Sequence, residues 1–301
     1  MERPWSSSTL KIKHIAAGWS SGLILDTAGG LWGFGDVSLF AMAGLAIPDC
    51  HVVPFDQPRL ILQGVSYIAG GVHFFIVCRG TETLLWTKRA KLRQLPLPST
   101  ASPLTRIVTG SMHAVFCYTN GEPQLWGNAK YITDAHLSVL PPLGQWIMSG
   151  WQHLGWLEKD QVFIVGRNYF GQCGQGHSQD IKLTADAVQP VSYDGKMLIC
   201  VSGSEHCLAI ALHGTDVSCG ILACQGNTMS VRSTVLPHLT LLAWGWNEHG
   251  NCGVTNTEAA TLLTPRPIPF DFTRGQGETV RITLAAGCAT SFVLLDAIDM
   301  S

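Results

Sequence analysis

Short apolar runs separated by glycine and polar turns recur along the whole chain. Leu23-Ile24-Leu25 and Phe74-Phe75-Ile76-Val77 are examples, and each follows a glycine preceded by small or β-branched residues. No helical period of comparable strength is present, so the apolar runs are better explained as strands than as helices. Strands at regular spacing with turns between them predict an all-β fold.

The glycines themselves repeat with their neighbours. Glycine follows residues of similar type at six places: Ile15-Ala16-Ala17-Gly18, Ile68-Ala69-Gly70-Gly71, Val108-Thr109-Gly110, Met148-Ser149-Gly150, Val201-Ser202-Gly203 and Leu284-Ala285-Ala286-Gly287. Counted from Gly70 for the second place, the gaps are 52, 40, 40, 53 and 84 residues. Four of the five are close to the 40–50-residue period of propeller blades.

Each apolar run leads through a turn to a second strand that holds an aromatic residue and a glycine. The examples are Trp32-Gly33, Trp126-Gly127 and Trp244-Gly245, with Trp86-Thr87 and Val165-Gly166 as degenerate forms. The offset from the first glycine to the Trp position is 14, 16, 16 and 15 residues in the first four units. This describes one hairpin used repeatedly, and it predicts a β-propeller that occupies 1–301 as a single domain.

The complete unit reads Gly-x-x-His, apolar strand, turn, Trp-Gly-x-Asn-x-x-Gly-Gln-x-Gly. Its clearest copies are 150–153 with 166–174, and 203–206 with 244–253. This unit resembles the RCC1 repeat over nearly the whole chain. The resemblance implies an RCC1-like β-propeller with a seven-bladed family pattern, of which about six units are recognisable here.

Within that family, one run is more selective. The run 244–253, together with Ala17-Gly18-Trp19 and Ser149-Gly150-Trp151, is similar to the secretion-regulating guanine-exchange-factor-like proteins and to their fungal counterpart, an alpha-tubulin suppressor. The fungal group implies a small zinc protein of tRNA wobble-uridine (Elongator) and diphthamide modification as partner. The animal group implies an exocyst subunit or a small GTPase. We therefore expect a non-enzymatic protein-binding propeller, with guanine-exchange-factor-like or exocyst-linked regulation of secretion as the alternative.

The chain departs from the family pattern in two main ways. Its opening unit aligns with the family's third repeat, which leaves open how many blades form and how the ring closes. In the fifth unit, Gly203 and Trp244 are 41 residues apart, and the excess falls at 216–241, which carries no repeat pattern. We hypothesise a translated intron or a lineage-specific loop there. Two further hypotheses are a poorly folding product and light sensing through tryptophans, as in plant RCC1-like photoreceptors.

Candidate partner-binding residues are three tryptophans and the polar residues beside them. The set is Trp19, Trp151, Gln152, Glu205, Trp246, Asn247, Glu248 and His249. Tryptophan dominates protein-binding hot spots. Large rings also fill the space between blades, so both interpretations stay open for Trp151 and Trp246.

Catalysis and metal binding are not predicted. His73, His113, His153 and His206 each lie three residues after a repeat glycine, but equivalent places in different blades are too far apart for one metal ion. The pairs Ser111/His113 and Ser204/His206 lack a third, orienting acid and a nucleophile elbow. No phosphate-binding loop is present, and Cys219 and Cys224 have no second pair at zinc spacing. We expect no cofactor.

Charge and cysteine usage narrow the setting. A net charge of −2 argues against direct nucleic-acid binding, and the basic run Lys88 to Arg93 is better explained as a solvated loop. Several cysteines lie inside apolar runs, as Cys117 does, and the opening residues do not resemble a secretory leader, so we expect a reducing compartment, the cytoplasm and also the nucleus. The longest apolar stretch, Val37 to Pro48, is too short to cross a bilayer.

Overall fold

The structure, a computed structural model, describes most of the chain. The described residues are 11–36, 52–53, 58–87, 90–95, 103–119, 122–128, 130–132, 137, 140, 147–180, 188–214, 221–225, 228–254, 260–272, 279–288 and 290–298. They divide into two compact units, unit 1 with residues 1–101 and 111–114, and unit 2 with residues 102–110 and 115–301. The single domain over 1–301 stays a prediction.

Unit 1 contains two antiparallel sheets. Sheet 1 is built from β1 (Ile12–Ala17), β2 (Ser21–Asp26), β3 (Leu31–Asp36), β4 (Val52–Val53) and β5 (Arg59–Leu62), in the order β1-β2-β3-β4 with β5 also paired to β3. Sheet 2 has the order β6 (Val65–Gly70), β7 (Phe74–Arg79), β8 (Glu82–Thr87), β9 (Ala90–Gln94). The two sheets pack through a core cluster that includes Leu23, Leu25, Ile68 and Trp86.

Most of the remaining sheets belong to unit 2. Sheet 3 has the order β10 (Leu104–Thr109), β11 (His113–Tyr118), β12 (Gln124–Gly127), and sheet 4 has the order β13 (Ile147–Ser149), β14 (His153–Glu158), β15 (Gln161–Gly166). Sheet 5 has the order β16 (Lys196–Ser202), β17 (His206–Leu212), β20 (Leu239–Trp246), β21 (Thr261–Ile268). Sheet 6 has the order β18 (Ile221–Gln225), β19 (Thr228–Arg232), β22 (Thr279–Ala286), β23 (Ser291–Ile298). The described residues are therefore organised in six small antiparallel sheets, and the all-β prediction is confirmed.

A single turn connects the first two strands of each repeat. Its glycine N–H donates to the carbonyl three residues later, as from Gly150 to His153 (3.0 Å) and from Gly203 to His206 (2.8 Å). The third strand carries a glycine with positive φ opposite that third residue, and the pairs are His153 with Gly166 and His206 with Gly245. A glycine is needed there because L side chains avoid positive φ.

This geometry corrects the repeat alignment in unit 1. The second turn is closed by a bond from Gly71 to Phe74, so Phe74 and not His73 is equivalent to the buried histidines. In sheet 1, Gly35 has positive φ and lies opposite Ser21, so Phe34-Gly35 replaces the expected Trp32-Gly33. The sequence offset was misleading because the hairpin loops differ in length by a few residues.

The turn glycines Gly150 and Gly203 are required because neighbouring sheets approach each other at these turns. A Cβ on Gly150 would lie 2.6 Å from the Gly203 carbonyl oxygen, and one on Gly203 would lie 2.5 Å from that of Gly287. Real Cβ atoms do not come this close to backbone oxygen. Glycine is therefore needed at these turns because the next sheet packs too closely for a side chain.

The stretch 216–241 is described at 221–225 and 228–241. It contributes β18, β19, a 3-10 helix (Ser233–His238) and the start of β20. β19 pairs with β22 over five residue pairs, and Met229 and Val231 are buried in the core of unit 2. The strands β18 and β19 of this stretch therefore belong to sheet 6, whereas its origin as intron or lineage-specific insertion stays a hypothesis. None of the helices in the described residues is long and apolar enough to cross a membrane.

Candidate functional site

The turns of unit 2 form a hydrogen-bonded row. The Trp151 N–H donates to the Ser204 carbonyl, and the Ser204 N–H donates to the Gly287 carbonyl, both at 2.9 Å. The end of each third strand attaches to the turn of its own sheet, because the Arg167 N–H donates to the Gln152 carbonyl (2.9 Å) and the Trp246 N–H donates to that of Glu205 (2.8 Å). Side chains far apart in sequence are thereby brought to one surface.

An ion pair between half-buried Arg167 and buried Glu205 lies on this surface. The Arg167 guanidinium is 2.9 Å from a carboxylate oxygen of Glu205, whose side chain is 10% exposed. Burial raises the pKa of the Glu205 carboxyl, and the nearby Arg167 charge opposes that rise. Within the described residues, the Arg167 Nε is buried and has no hydrogen-bond partner. A desolvated pair of this kind is costly to break by removing one member, because the other charge then stays buried alone.

Aromatic rings surround the ion pair. The Arg167 guanidinium lies over the Tyr169 ring at 4.6 Å and over the Phe170 ring at 5.9 Å from the centroids, within the range of cation–π attraction. The Phe170 ring is 6.0 Å from the Trp246 ring, which meets the His249 ring edge-on at 4.9 Å. We call this set the Arg167 cluster; its members are Gln152, Arg167, Tyr169, Phe170, Glu205, Trp246, Glu248 and His249.

Two buried asparagines hold the loops that present these rings. The Asn168 side-chain oxygen accepts from the Cys173 N–H (2.8 Å), and that of Asn247 accepts from the Cys252 N–H (3.1 Å). The Asn168 amide also donates to the carbonyls of His177 and Gln179. The motif Asn-x-x-Gly-x-x-Gly therefore specifies a rigid loop, and the two residues after each asparagine project outward.

The structure brings most of the candidate residues together. Gln152, Glu205, Trp246, Glu248 and His249 belong to the Arg167 cluster, and the Trp246 indole N–H donates to the Glu248 carboxylate (3.1 Å). Half-buried Trp151 lies in the adjoining turn.

Two candidates differ from the rest. Asn247 is fully buried with its amide bonded inside its own loop, so its role is structural and it leaves the list of contact residues. Trp19 lies in unit 1, where its side chain is 63% exposed and its N–H donates to the Val72 carbonyl.

Sequence reasoning missed Arg167, Tyr169 and Phe170. A signal for them was present, because the two motif copies align Arg167 with Trp246, Tyr169 with Glu248 and Phe170 with His249. The second copy has a tryptophan at this position, which marks a candidate binding residue, whereas the first copy has an arginine. The Arg167–Glu205 ion pair and the contact of the Phe170 and Trp246 rings show that both copies contribute to one surface.

The hydroxyl and imidazole groups near the turns are occupied in structural bonds. The Ser204 hydroxyl donates to the Cys288 carbonyl, and His206 Nε2 is 3.0 Å from the Ser291 hydroxyl. Burial lowers the pKa of His206 to about 4, as it does for His113. Among the described residues, no group of three or more His, Cys, Asp or Glu side chains could hold a metal ion.

Known proteins similar to this chain were identified by sequence. The chain is 28% identical over 297 residues to a mouse secretion-regulating guanine nucleotide exchange factor, and 26% identical over 301 residues to the bovine one. The alignments cover 85% and 86% of this chain and 60% of each relative, so the chain spans about three fifths of the curated relatives it matches. No protein-family model matches the chain.

Solved structures with the same fold were also found. Human WBSCR16 matches with a TM-score of 0.64 at 14% identity, covering 95% of this chain and 72% of that one. Prp20p from Saccharomyces cerevisiae, the yeast RCC1, matches with a TM-score of 0.54 at 16% identity, covering 96% and 83%. At these identities the likeness concerns the fold alone. The chain thus has the RCC1-like β-propeller fold that its repeats predict, and it is similar in sequence to secretion-regulating guanine nucleotide exchange factors.

Proposed function

We propose that this chain is a non-enzymatic regulatory propeller that binds a protein partner through the Arg167 cluster. The observation that carries the proposal is the partly buried Arg167–Glu205 pair, which lies among the rings of Tyr169, Phe170 and Trp246 at a partly exposed surface. Arginine, tyrosine and tryptophan are the residue types enriched in binding hot spots. The cluster stands on loops that buried asparagines hold rigid, so little conformational entropy would be lost on binding.

The proposal also includes the identity of the partner. The motif resemblance favours a small zinc protein of the Elongator and diphthamide pathways, with action in the cytoplasm and also in the nucleus. Such a partner would act on tRNA or protein modification, and this chain would serve as its adaptor. No direct contact with nucleic acid or membrane is part of the proposal.

The second candidate is guanine-exchange-factor-like regulation of a small GTPase, with the exocyst as the related secretion partner. It is favoured by the name that the mouse and bovine relatives carry. The structure of yeast Prp20p was described together with its binding to Gsp1p and histones, which is an example of GTPase binding on the same fold. The exposed Glu248 carboxylate next to Trp246 is the group that we would test first in such an exchange reaction.

The test is quantitative affinity purification of the tagged chain from its own cells, comparing wild type with Trp246→Ala. Loss of a central anchor typically costs about 2 kcal/mol or more, equivalent to roughly thirtyfold in affinity. Phe270→Ala is the matched control, because Phe270 is a partly exposed aromatic residue outside the cluster. A partner that both variants retain equally would contradict the Arg167 cluster as the binding surface.

The identity of the captured protein separates the two candidates. A zinc protein recovered with Elongator or diphthamide components supports the adaptor. A GTPase or exocyst subunits support the secretion branch. Release of fluorescent GDP from the recovered GTPase, accelerated by wild type and not by Glu248→Gln, would establish exchange activity.

A further inference from the structure

The loops that follow the third strands of sheets 4 and 5 share one motif but carry different side chains. The residue directly after the positive-φ glycine is Arg167 in the first loop and Trp246 in the second. Two residues later stand Tyr169 and Glu248. A buried asparagine anchors each loop by the same side-chain hydrogen bond to the N–H five residues later, so these positions are structurally equivalent.

The first loop gathers a cation, an aromatic ring and a carboxylate. The Arg167 guanidinium lies over the Tyr169 ring at 4.6 Å and is 2.9 Å from a carboxylate oxygen of Glu205. Stacking on an aromatic face and pairing with a carboxylate are the two interactions to which a planar guanidinium is best suited. At this loop the protein supplies both the cation and its partners.

The second loop has the ring and the carboxylate without the cation. Half-buried Trp246 donates its indole N–H to the exposed Glu248 carboxylate (3.1 Å), and the His249 ring meets the Trp246 ring at 4.9 Å. Within the described residues, Glu248 forms no ion pair with a lysine or arginine. A carboxylate accepts several hydrogen bonds, so the bond from Trp246 leaves Glu248 able to bind a cation.

The charges of the Arg167 cluster point the same way. The cluster contains one arginine and two glutamates, and Arg167 is already paired with Glu205. Glu248 therefore leaves an uncompensated negative charge beside the aromatic rings, on the exposed part of the cluster. A surface of this kind is complementary to a basic side chain and unfavourable for an acidic one.

We infer that the partner of the Arg167 cluster places an arginine side chain against Trp246 and Glu248. This inference rests on the proposed function. The partner's guanidinium would stack on the Trp246 ring and pair with Glu248, as Arg167 does with Tyr169 and Glu205 in the first loop. Arginine fits better than lysine because its planar, forked guanidinium can stack on a ring and bond a carboxylate at the same time.

The test uses N-acetyl-arginine amide as a probe and the indole N–H signal of Trp246 in a proton–nitrogen NMR spectrum as the readout. Trp246→Phe identifies that signal among those of the ten tryptophans. We expect a saturable shift with this probe, a weaker affinity for N-acetyl-lysine amide and no shift with the uncharged N-acetyl-norleucine amide.

Variants of two glutamates assign the charge. Glu248→Gln keeps an acceptor for the Trp246 indole and removes the charge, so the affinity for N-acetyl-arginine amide should fall by about two- to fivefold. Glu158→Gln is the matched control, because Glu158 lies at the far end of β14 from the turn of sheet 4 and should leave the affinity unchanged. A Trp246 signal that ignores N-acetyl-arginine amide, or that responds equally to N-acetyl-norleucine amide, would overturn the inference.

Partner capture separates a failure of this inference from a failure of the proposed function. Glu248→Lys should reduce the captured partner by about tenfold or more, because it sets like charges against each other, whereas Glu158→Lys makes the same charge change without loss. Capture that Trp246→Ala leaves intact would contradict the proposed function. Capture that Trp246→Ala reduces but Glu248→Lys does not would overturn the arginine alone and leave the binding surface standing.

Discussion

Sheets 5 and 6 begin with the same hairpin and are completed differently. In sheet 5 the third strand, β20, pairs with the second strand of the hairpin and brings Gly245 opposite His206. In sheet 6 the added strand, β19, pairs with the first strand, so β22 becomes internal and β23 lies at the sheet edge within the described residues. The repeat sequence therefore specifies the hairpin and its stacking face. Backbone hydrogen bonding alone can recruit the next strand to either edge.

The largest effect is expected on the second strand of the hairpin, seven residues after the turn glycine, where the two sheets differ most in burial. Ile210 and Leu294 occupy the same repeat position, but Ile210 is fully buried and Leu294 is mostly exposed. We expect Ile210→Ala to lower the free energy of unfolding by about 2–5 kcal/mol, because it leaves a cavity in the core. Leu294→Ala should change the free energy of unfolding by about 0.5 kcal/mol or less, because the side chain is mostly exposed. Urea denaturation checks both, and equal costs would mean that the two sheets do not differ as described.

The contribution of 216–241 to sheet 6 can be tested at Met229. Its side chain is buried in the core of unit 2 although the stretch carries no repeat pattern. Met229→Ala should cost about 2–5 kcal/mol of unfolding free energy. Ser230→Ala is the matched control, because Ser230 is the next residue of β19 and is only half-buried. A cost for Met229→Ala no larger than that of the control would indicate that the stretch adds nothing to the core.

The pH dependence of stability tests the hydrogen bond that joins His206 of sheet 5 to Ser291 of sheet 6. The Ser291 hydroxyl donates to the Asn251 carbonyl (2.7 Å), so its oxygen accepts from His206 Nε2–H, while Nδ1 of the same ring is buried without a hydrogen-bond partner among the described residues. Burial lowers the pKa of His206 to about 4 from 6.5, so the unfolded chain binds the proton more tightly. Stability is complete above pH 6.5 and falls as the pH drops toward 4, by about 3 kcal/mol at most for this residue.

His206→Gln should flatten that part of the profile, measured as the urea midpoint against pH. His249→Gln, the same substitution at an exposed histidine, is the control. His113, which is lowered to about 4 by the same burial, should account for part of the remaining slope. An unchanged slope in His206→Gln would show that this histidine does not titrate as its burial requires.

The turn glycines give the smallest and most specific effect. A Cβ on Gly203 would meet the Gly287 carbonyl oxygen at 2.5 Å, whereas one on Gly287 has no neighbour within 3.8 Å. Gly203→Ala should destabilise by about 1–3 kcal/mol, as overpacking does. Gly287→Ala should be nearly neutral in the same thermal or urea melt. Similar costs would mean that the glycines are kept for a reason other than sheet stacking.

Much of the fold could be predicted because the hairpin is encoded locally. The glycine turn, the apolar second strand and the turn before the third strand all lie within a few residues of one another. Alignment errors arose only where loop length varied, at Gly70/Gly71 and at Trp32-Gly33. The hairpin of sheet 6 was found through Gly287, but β18 and β19 were missed because they contribute through burial and backbone pairing, which leave no motif.

The candidate site was predicted in part for a similar reason. Trp246, Glu248 and His249 stand out in a well-preserved motif, and Glu205 stands beside a repeat histidine. Arg167 was missed although the motif copies align it with Trp246, because an arginine in a loop is a weak signal until its guanidinium is seen against Glu205.

The sequence by itself determined the repeated hairpin, the all-β class and the loops held by Asn168 and Asn247, because these depend on interactions between near neighbours in the chain. Two features depend on the tertiary structure: which strand completes sheet 6, and that Arg167, Glu205 and Trp246 share one surface. Each of these depends on contacts between segments distant in sequence, and such contacts are set by the stacking of whole sheets.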